Sequence, residues 1–355
     1  MSDKYKTIVV RVDANRLMGI GHAMRCIAVS EQLIAKGHHV IFAMHEVPSA
    51  LLNRLERTKV EVLHLAKTEN NPHSLYKIVQ DTTAQAVILD GYHIENDYER
   101  CLKEHSAKVL RFDDYMPGVK CDANIIVNAS LHANPAIYSD WAPNSRLLLG
   151  PQYIAFRSDM ISAYINLVDK KLDNETLTGA NLNTSILINF GGSDHLDLTI
   201  ETASAIAQLL PEAKIEAVTG AAYPNPERIS ALGIKTLTHH HNTDNLAEVM
   251  QRARMAISAG GLTVTELALF RIPTILAITA QNQIKGAHVS WCHTILPNDT
   301  NGEINTSEIL KKIIVETERL WNLHDERTQI VNRIPTDLDI HGARRIAEAL
   351  IGESF

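Results

Sequence analysis

The chain has 355 residues, 45% of them hydrophobic and 21% charged, with a formal net charge of −7. That length exceeds one ordinary core and implies two domains, while the acidic balance without a Lys/Arg run argues against a nucleic-acid partner. Four cysteines (Cys26, Cys101, Cys121 and Cys292) show no paired spacing, so neither a zinc site nor a disulfide framework is expected. The N-terminal residues carry no signal-peptide apolar stretch and no apolar run reaches 18 residues. The expectation is a cytoplasmic protein with no membrane span and no metal or other cofactor.

Apolar runs alternate with amphipathic stretches along the chain. Strands are expected at 7–12, 39–43, 60–65, 86–89, 108–112, 123–127 and 147–149, with helical patterns at 23–35, 49–56, 71–81 and 96–105. Such βαβ repetition predicts a parallel, doubly wound sheet. A polar stretch at 169–184 reads as a linker, and the rhythm restarts at Ser185. After that opening segment, Ser185 to Gly192, further strands are expected at 214–218, 235–237, 255–258, 274–277 and 293–296, followed by helices at 307–319, 324–332 and 342–351. The domains are therefore expected at 1–168 and 185–355, two Rossmann-like halves with the ligand cleft between them.

The most informative segment runs from Arg11 to Cys26 and contains Gly19-Ile20-Gly21-His22. A β-branched strand leads into it and a helix follows, so the glycine turn presents His22 at a helix mouth. The two glycines permit close backbone approach, and the helix N-terminus favours anions. It fails as a dinucleotide fingerprint, because Met24 stands where a third small residue is needed and no acidic residue closes the second strand. In Ala259-Gly260-Gly261-Leu262-Thr263-Val264-Thr265-Glu266 a strand again ends in paired glycines before a helix. Backbone N–H groups there suit a diphosphate, with Thr263 in the first turn and Glu266 placed to accept from ribose hydroxyls. A plain helix start with an acidic residue complementing the dipole is the simpler alternative.

Phe190-Gly191-Gly192-Ser193-Asp194 is either a ligand-contacting turn or a tight turn in which Asp194 caps the next helix. Asp90 and Tyr92, at the end of another strand, are placed to orient His22 or hold sugar hydroxyls. A helix cap and a half-buried tyrosine are the alternative, and Asp113-Asp114 carries the same ambiguity. His239-His240-His241 reads as a solvated loop and cap rather than a metal site, and Asp337-Leu338-Asp339 as a polar connection between tail helices.

Together these segments resemble the UDP-2,4-diacetamido-2,4,6-trideoxy-β-L-altropyranose hydrolases of pseudaminic acid biosynthesis. The likeness is carried by Arg11 to Cys26, by Asp90 to His93, by Leu148 to Tyr153 with Arg157, and by Phe190 to Asp194. It extends to Asn282-Gln283 and to Asp339 through Arg345. After the glycine pair the family usually continues to Trp-Glu-Arg, whereas here Thr265-Glu266-Leu267 stands; the glutamate is kept and its neighbours change. The resemblance implies a GT-B architecture, with His22 as general base supported by Asp90 and Tyr92. It also implies UDP-sugar contacts from Arg11, Asp13, Gly19, Gly21, Arg25, Tyr153 and Arg157 in the first half. In the second half the implied contacts are Gly191, Gly192, Ser193, Gly260, Gly261, Thr263, Glu266, Asn282 and Gln283. Hydrolysis of a UDP-activated amino sugar is the expected activity, with the small-molecule UDP-sugar as the expected partner. A UDP-sugar glycosyltransferase is the alternative within enzymes, and a non-catalytic nucleotide-sugar sensor the alternative outside them.

Overall fold

The computed structural model describes residues 6–15, 19–102, 105–114, 120–131, 133–173, 184–280, 283, 289–297 and 304–353. The chain divides into two compact units, one formed by Met1–Ser158 with Asp337–Phe355 and the other by Asp159–Thr336.

In the first unit the strands are β1 (Thr7–Val12), β2 (His39–Met44), β3 (Glu61–His64), β4 (Ala86–Asp90), β5 (Lys108–Phe112), β6 (Ile125–Asn128) and β7 (Arg146–Leu149). The helices among them are α1 (Gly21–Ala35), α2 (Ser49–Thr58), α3 (Pro72–Asp81), α4 (Asn96–Leu102) and α5 (Pro135–Tyr138). All strand pairs are parallel, in the order β3-β2-β1-β4-β5-β6-β7. The central strands are buried along nearly their whole length, which is why they read as continuous apolar runs instead of alternating ones. One apolar layer includes Val9, Ile41, Val87, Leu89 and Val109 of the sheet and packs on Leu75, Val79, Tyr98 and Leu102 of α3 and α4.

The second unit begins with α6 (Ser158–Asp173) and continues through β8 (Ser185–Asn189), α7 (Leu198–Leu209), β9 (Lys214–Thr219), α8 (Glu227–Ser230) and β10 (Leu237–His241). It continues with α9 (Leu246–Gln251), β11 (Ala253–Ala259), α10 (Leu262–Leu269), β12 (Thr274–Ala277), β13 (Cys292–Ile295), α11 (Thr306–Asn322) and α12 (His324–Asn332). Its sheet is also parallel, ordered β10-β9-β8-β11-β12-β13. In each sheet the strand order reverses beside the first strand, between β1 and β4 and between β8 and β11. Such a switch point opens a crevice at the carboxyl ends of the strands, where open α/β sheets bind ligands.

The division of the chain departs from the expected one. The expected boundary at 168 falls inside α6, which packs Met160, Ala163, Tyr164 and Leu167 onto the second unit's core. Of the expected linker, residues 174–183 lie outside the described residues. The last helix, α13 (Gly342–Ile351), belongs to the first unit, not the second. It packs against α1 and is held by Lys36 Nζ to Glu348 (3.3 Å), Lys108 Nζ to the Ala349 carbonyl (3.1 Å) and Lys6 Nζ to the Ile351 carbonyl (2.5 Å). A Cβ on Gly342 would lie 2.1 Å from the Ile154 carbonyl oxygen, so only glycine admits this close approach. Arg345 completes the attachment, donating to the Gln152 carbonyl (2.8 Å) while paired with Asp339 (2.6 and 2.5 Å). The Leu148–Tyr153 and Asp339–Arg345 segments thus dock on one another.

His239–His241 is a strand rather than a loop. Edge strand β10 pairs with β9 through these residues, with His239 opposite Ala217 and His241 opposite Thr219.

Candidate active site

In the first unit the switch point assembles a buried charged chain. β1 and β4 run in register with Val12 opposite Asp90, so the end of β4 faces the loop that leads from β1 into α1. Gly19 turns that loop at φ +78°, and α1 begins at Gly21, placing His22 and Arg25 one helical turn apart. His22 Nδ1 lies 2.7 Å from Asp90 Oδ1. Arg25 donates Nε to Asp90 Oδ2 (2.6 Å) and Nη2 to Asp90 Oδ1 (2.6 Å). Its outer edge grips a second carboxylate, Nη1 to Asp114 Oδ1 (2.7 Å) and Nη2 to Asp114 Oδ2 (2.9 Å). The Arg25 guanidinium lies over the Phe112 ring at 4.6 Å, and the Tyr92 ring meets His22 edge-on at 4.6 Å.

The electrostatics of this chain follow from burial and pairing. Burial raises the pKa of the Asp90 carboxyl, but the charge and hydrogen bonds of Arg25, with His22 adding to them, more than offset it. Asp90 is therefore held below the usual carboxylate range and stays anionic. Burial opposes the charge on Arg25, and Asp114 and Asp90 outweigh it. The Cys26 thiol, buried with its Sγ 3.5 Å from Asp90, is pushed up and stays protonated. Arg25 Nη2 also approaches His22 Nδ1 at 3.1 Å, and a guanidinium only donates. The anionic Asp90 oxygen is the stronger acceptor, so the hydrogen sits on Nδ1 and the lone pair on Nε2. Among the described residues the hydrogen-bond contacts of His22 all run through Nδ1 and none through Nε2. An imidazole held in one tautomer by a buried carboxylate, with its other nitrogen open, is the arrangement a general base requires.

Arg11 and Asp13 form a second cluster at the end of β1. Arg11 Nη2 donates to Asp13 Oδ2 (2.6 Å) and Asn70, and its Nη1 to the Ala43 carbonyl (3.2 Å). His93 Nε2 lies 3.0 Å from Asp13 Oδ2, and Asp13 Oδ1 accepts from the His45 amide (2.7 Å). Burial raises the pKa of the Asp13 carboxyl, and the bonds from His93 and Arg11 more than offset it, so it too is held below the usual range. Three residues expected to contact ligand, Arg11, Asp13 and Arg25, are thus paired within the fold, while Arg11 Nε is buried without a hydrogen-bond partner among the described residues. Arg157 is buried and engaged within the fold, and Tyr153 sits in the short turn Pro151–Tyr153 after Gly150.

In the second unit the switch point brings together both glycine turns. Gly191 (φ +89°) follows β8, with its amide donating to Asn189 Oδ1 (3.1 Å). Gly192 lies so close to Gly220 that a Cβ on Gly220 would fall 2.6 Å from the Gly192 Cα. Ser193 is half-buried, and Asp194 takes its capping role, accepting from the Leu198 (3.1 Å) and Thr199 (2.8 Å) amides at the start of α7. Gly261 (φ +142°) turns β11 into α10, where Thr263 occupies the first turn. Glu266 is nearly buried one turn further in and engaged within the fold. Gln283 covers Gly260, donating Nε2 to its carbonyl (3.3 Å) and accepting from the Thr279 amide (2.8 Å). Its neighbour Asn282 lies outside the described residues.

The histidines of β10 are bound within the sheet: His239 and His241 both meet Thr219 Oγ1 (2.8 and 3.1 Å), and His240 meets Glu216 (2.5 Å). Among the described residues no cluster of three or more His, Cys, Asp or Glu could hold a metal ion. No helix among them is long and apolar enough to cross a membrane. Sequence reasoning left Asp114 ambiguous and did not single out His93. The signal for both was position: each lies within three residues of the end of a strand beside the switch point.

No protein-family model matches the chain. An uncharacterized protein of Methanocaldococcus jannaschii is 23% identical over 286 residues, covering 78% of this chain and 56% of that relative. The chain thus spans about half the length of the curated relative it matches. Among solved structures, MurG of Acinetobacter baumannii superposes with a TM-score of 0.62 at 14% identity, covering 98% of this chain and 99% of that one. The UDP-GlcNAc 2-epimerase of Neisseria meningitidis, solved with UDP-GlcNAc bound, gives 0.64 at 12% identity, covering 98% and 100%. These likenesses, spanning both units, show that the fold is α/β and GT-B-like, built of two Rossmann-like doubly wound domains.

Proposed function

We propose that the protein hydrolyses a UDP-activated 2,4-diacetamido-2,4,6-trideoxy sugar to UDP and the free sugar, as a step of pseudaminic acid biosynthesis. The observation that carries this reading is the Arg25–Asp90–His22 chain, which leaves Nε2 of a tautomer-fixed imidazole open at the switch point. His22 takes a proton from water, the water oxygen bonds to the anomeric carbon, and the bond from that carbon to the UDP oxygen breaks. Asp90 stabilises the imidazolium that forms. The leaving diphosphate is a dianion-like group whose growing charge suits the amide-rich turn Gly260–Gly261 at the start of α10, and Glu266 serves the ribose hydroxyls. Support comes from the motif resemblance and from a structural neighbour that binds UDP-GlcNAc in its solved form.

Transfer to an acceptor hydroxyl, favoured by the likeness to MurG, is the second reading and uses the same base. Incubation with UDP-sugar and no acceptor separates the two, since equal amounts of UDP and free sugar form only if water is the acceptor. His22→Asn lowers kcat by about 10²–10⁴-fold with binding intact. A variant turning over at the wild-type rate removes His22 from the chemistry.

A further inference from the structure

We infer that Asp114 is a positioning residue: as the second carboxylate on Arg25, it keeps that guanidinium from neutralising Asp90 outright and so keeps His22 a stronger base. The inference rests on the proposed role of His22 for its catalytic consequence, but its electrostatic core stands on the geometry alone.

Arg25 faces two carboxylates through adjacent edges that share Nη2, Asp90 at 2.6 Å and Asp114 at 2.7 and 2.9 Å. Three groups held in contact carry two negative charges and one positive, so the set adjoining His22 is net negative by one charge. With Asp114 removed the set is neutral, and the imidazolium form of His22 loses stabilisation. Among the described residues, the other groups around His22 do not replace that charge. On α1 Cys26 is a buried thiol held in its protonated form. After β4 stands the Tyr92 ring, edge-on to the imidazole. At the end of β5 Asp113 accepts from the Tyr138 hydroxyl (2.9 Å), and at the end of β1 Asp13 is paired with Arg11 and His93. Asp114 is also the accessible end of the chain, its side chain 34% exposed while that of Asp90 is fully buried. It is therefore the member that can be changed without opening the core.

Removing a negative charge beside a cationic acid makes that acid stronger, so His22 becomes a weaker base and stays deprotonated to lower pH. The test is an NMR titration of the His22 imidazole in protein labelled at histidine, its signal identified among 17 histidines by its loss in His22→Asn. In Asp114→Asn the midpoint falls by roughly half a pH unit or more, the size expected for one nearby partly screened charge. Asp114→Glu, which keeps the charge, leaves the midpoint in place. The acid limb of kcat/KM for UDP-sugar hydrolysis shifts to lower pH with the NMR midpoint. An Asp114→Asn midpoint equal to the wild type overturns the inference, as does an equal shift in Asp114→Glu. If wild-type protein turns over no UDP-sugar, the hydrolase reading fails, and the titration still decides the role of Asp114.

Discussion

Replacing Asp90 by Asn keeps the shape of a fully buried side chain and removes its charge. Asp90 accepts two hydrogen bonds from Arg25 and one from His22, all at 2.6–2.7 Å. An Asn must turn its amide N–H₂ toward either Arg25 or His22, setting donor against donor. Breaking a buried ion pair by deleting one partner costs about 3–5 kcal/mol, and the lower end applies because Arg25 keeps Asp114. Unfolding of the first unit, followed by circular dichroism, is expected to move down by roughly 6–12 °C. The loss also depends on pH. The folded-state value of Asp90 lies below its unfolded one, so its stabilisation is present above the unfolded carboxylate value of about 3.9 and is lost as pH falls toward the folded value. The gap between wild type and variant narrows by about 1 kcal/mol between pH 7 and pH 3. A variant within 1 kcal/mol of wild type at pH 7, or a gap that widens on acidification, refutes this account of the pair.

Gly342→Ala forces a Cβ to within 2.1 Å of the Ile154 carbonyl, a backbone atom that cannot swing aside. A loss of about 1–3 kcal/mol is expected, with faster amide exchange in α13; unchanged exchange there would mean that the helix docks otherwise. Glu266→Ala lowers UDP affinity at least about tenfold by calorimetry, while 2′,3′-dideoxy-UDP binds both proteins alike. Equal UDP affinity leaves Glu266 a purely structural residue of α10.

Much of the fold was legible because its signals are local. The buried strands β1, β5 and β12 end where their apolar runs end, and Gly19-Ile20-Gly21-His22 announces a turn into a helix through backbone chemistry confined to four residues. β10 was expected to end at Leu237, with its histidines read as a loop, because an edge strand buries little and three histidines satisfied by Thr219 and Glu216 leave no apolar pattern. In α6 the spacing of Met160, Ala163, Tyr164 and Leu167 was readable as one helical face, yet the polar residues after 168 drew the boundary to the wrong place. The return of α13 to the first unit depends on Gly342 meeting Ile154, almost 200 residues away, and no local pattern carries that. The same holds at the site. His22 stands out in the sequence, whereas the joint grip of Arg25 on Asp90 and Asp114 exists only once β4 and β5 lie side by side.

The central claim is that water, activated by His22, attacks the anomeric carbon. Turnover of UDP-2,4-diacetamido-2,4,6-trideoxy sugar in ¹⁸O-labelled water, followed by NMR and mass spectrometry, tests it most directly. The account predicts equal amounts of UDP and free sugar, with the label on the sugar's anomeric oxygen and none in UDP, and a rate that collapses in His22→Asn. Label appearing in the phosphate, or sugar released only when an acceptor alcohol is added, would contradict it.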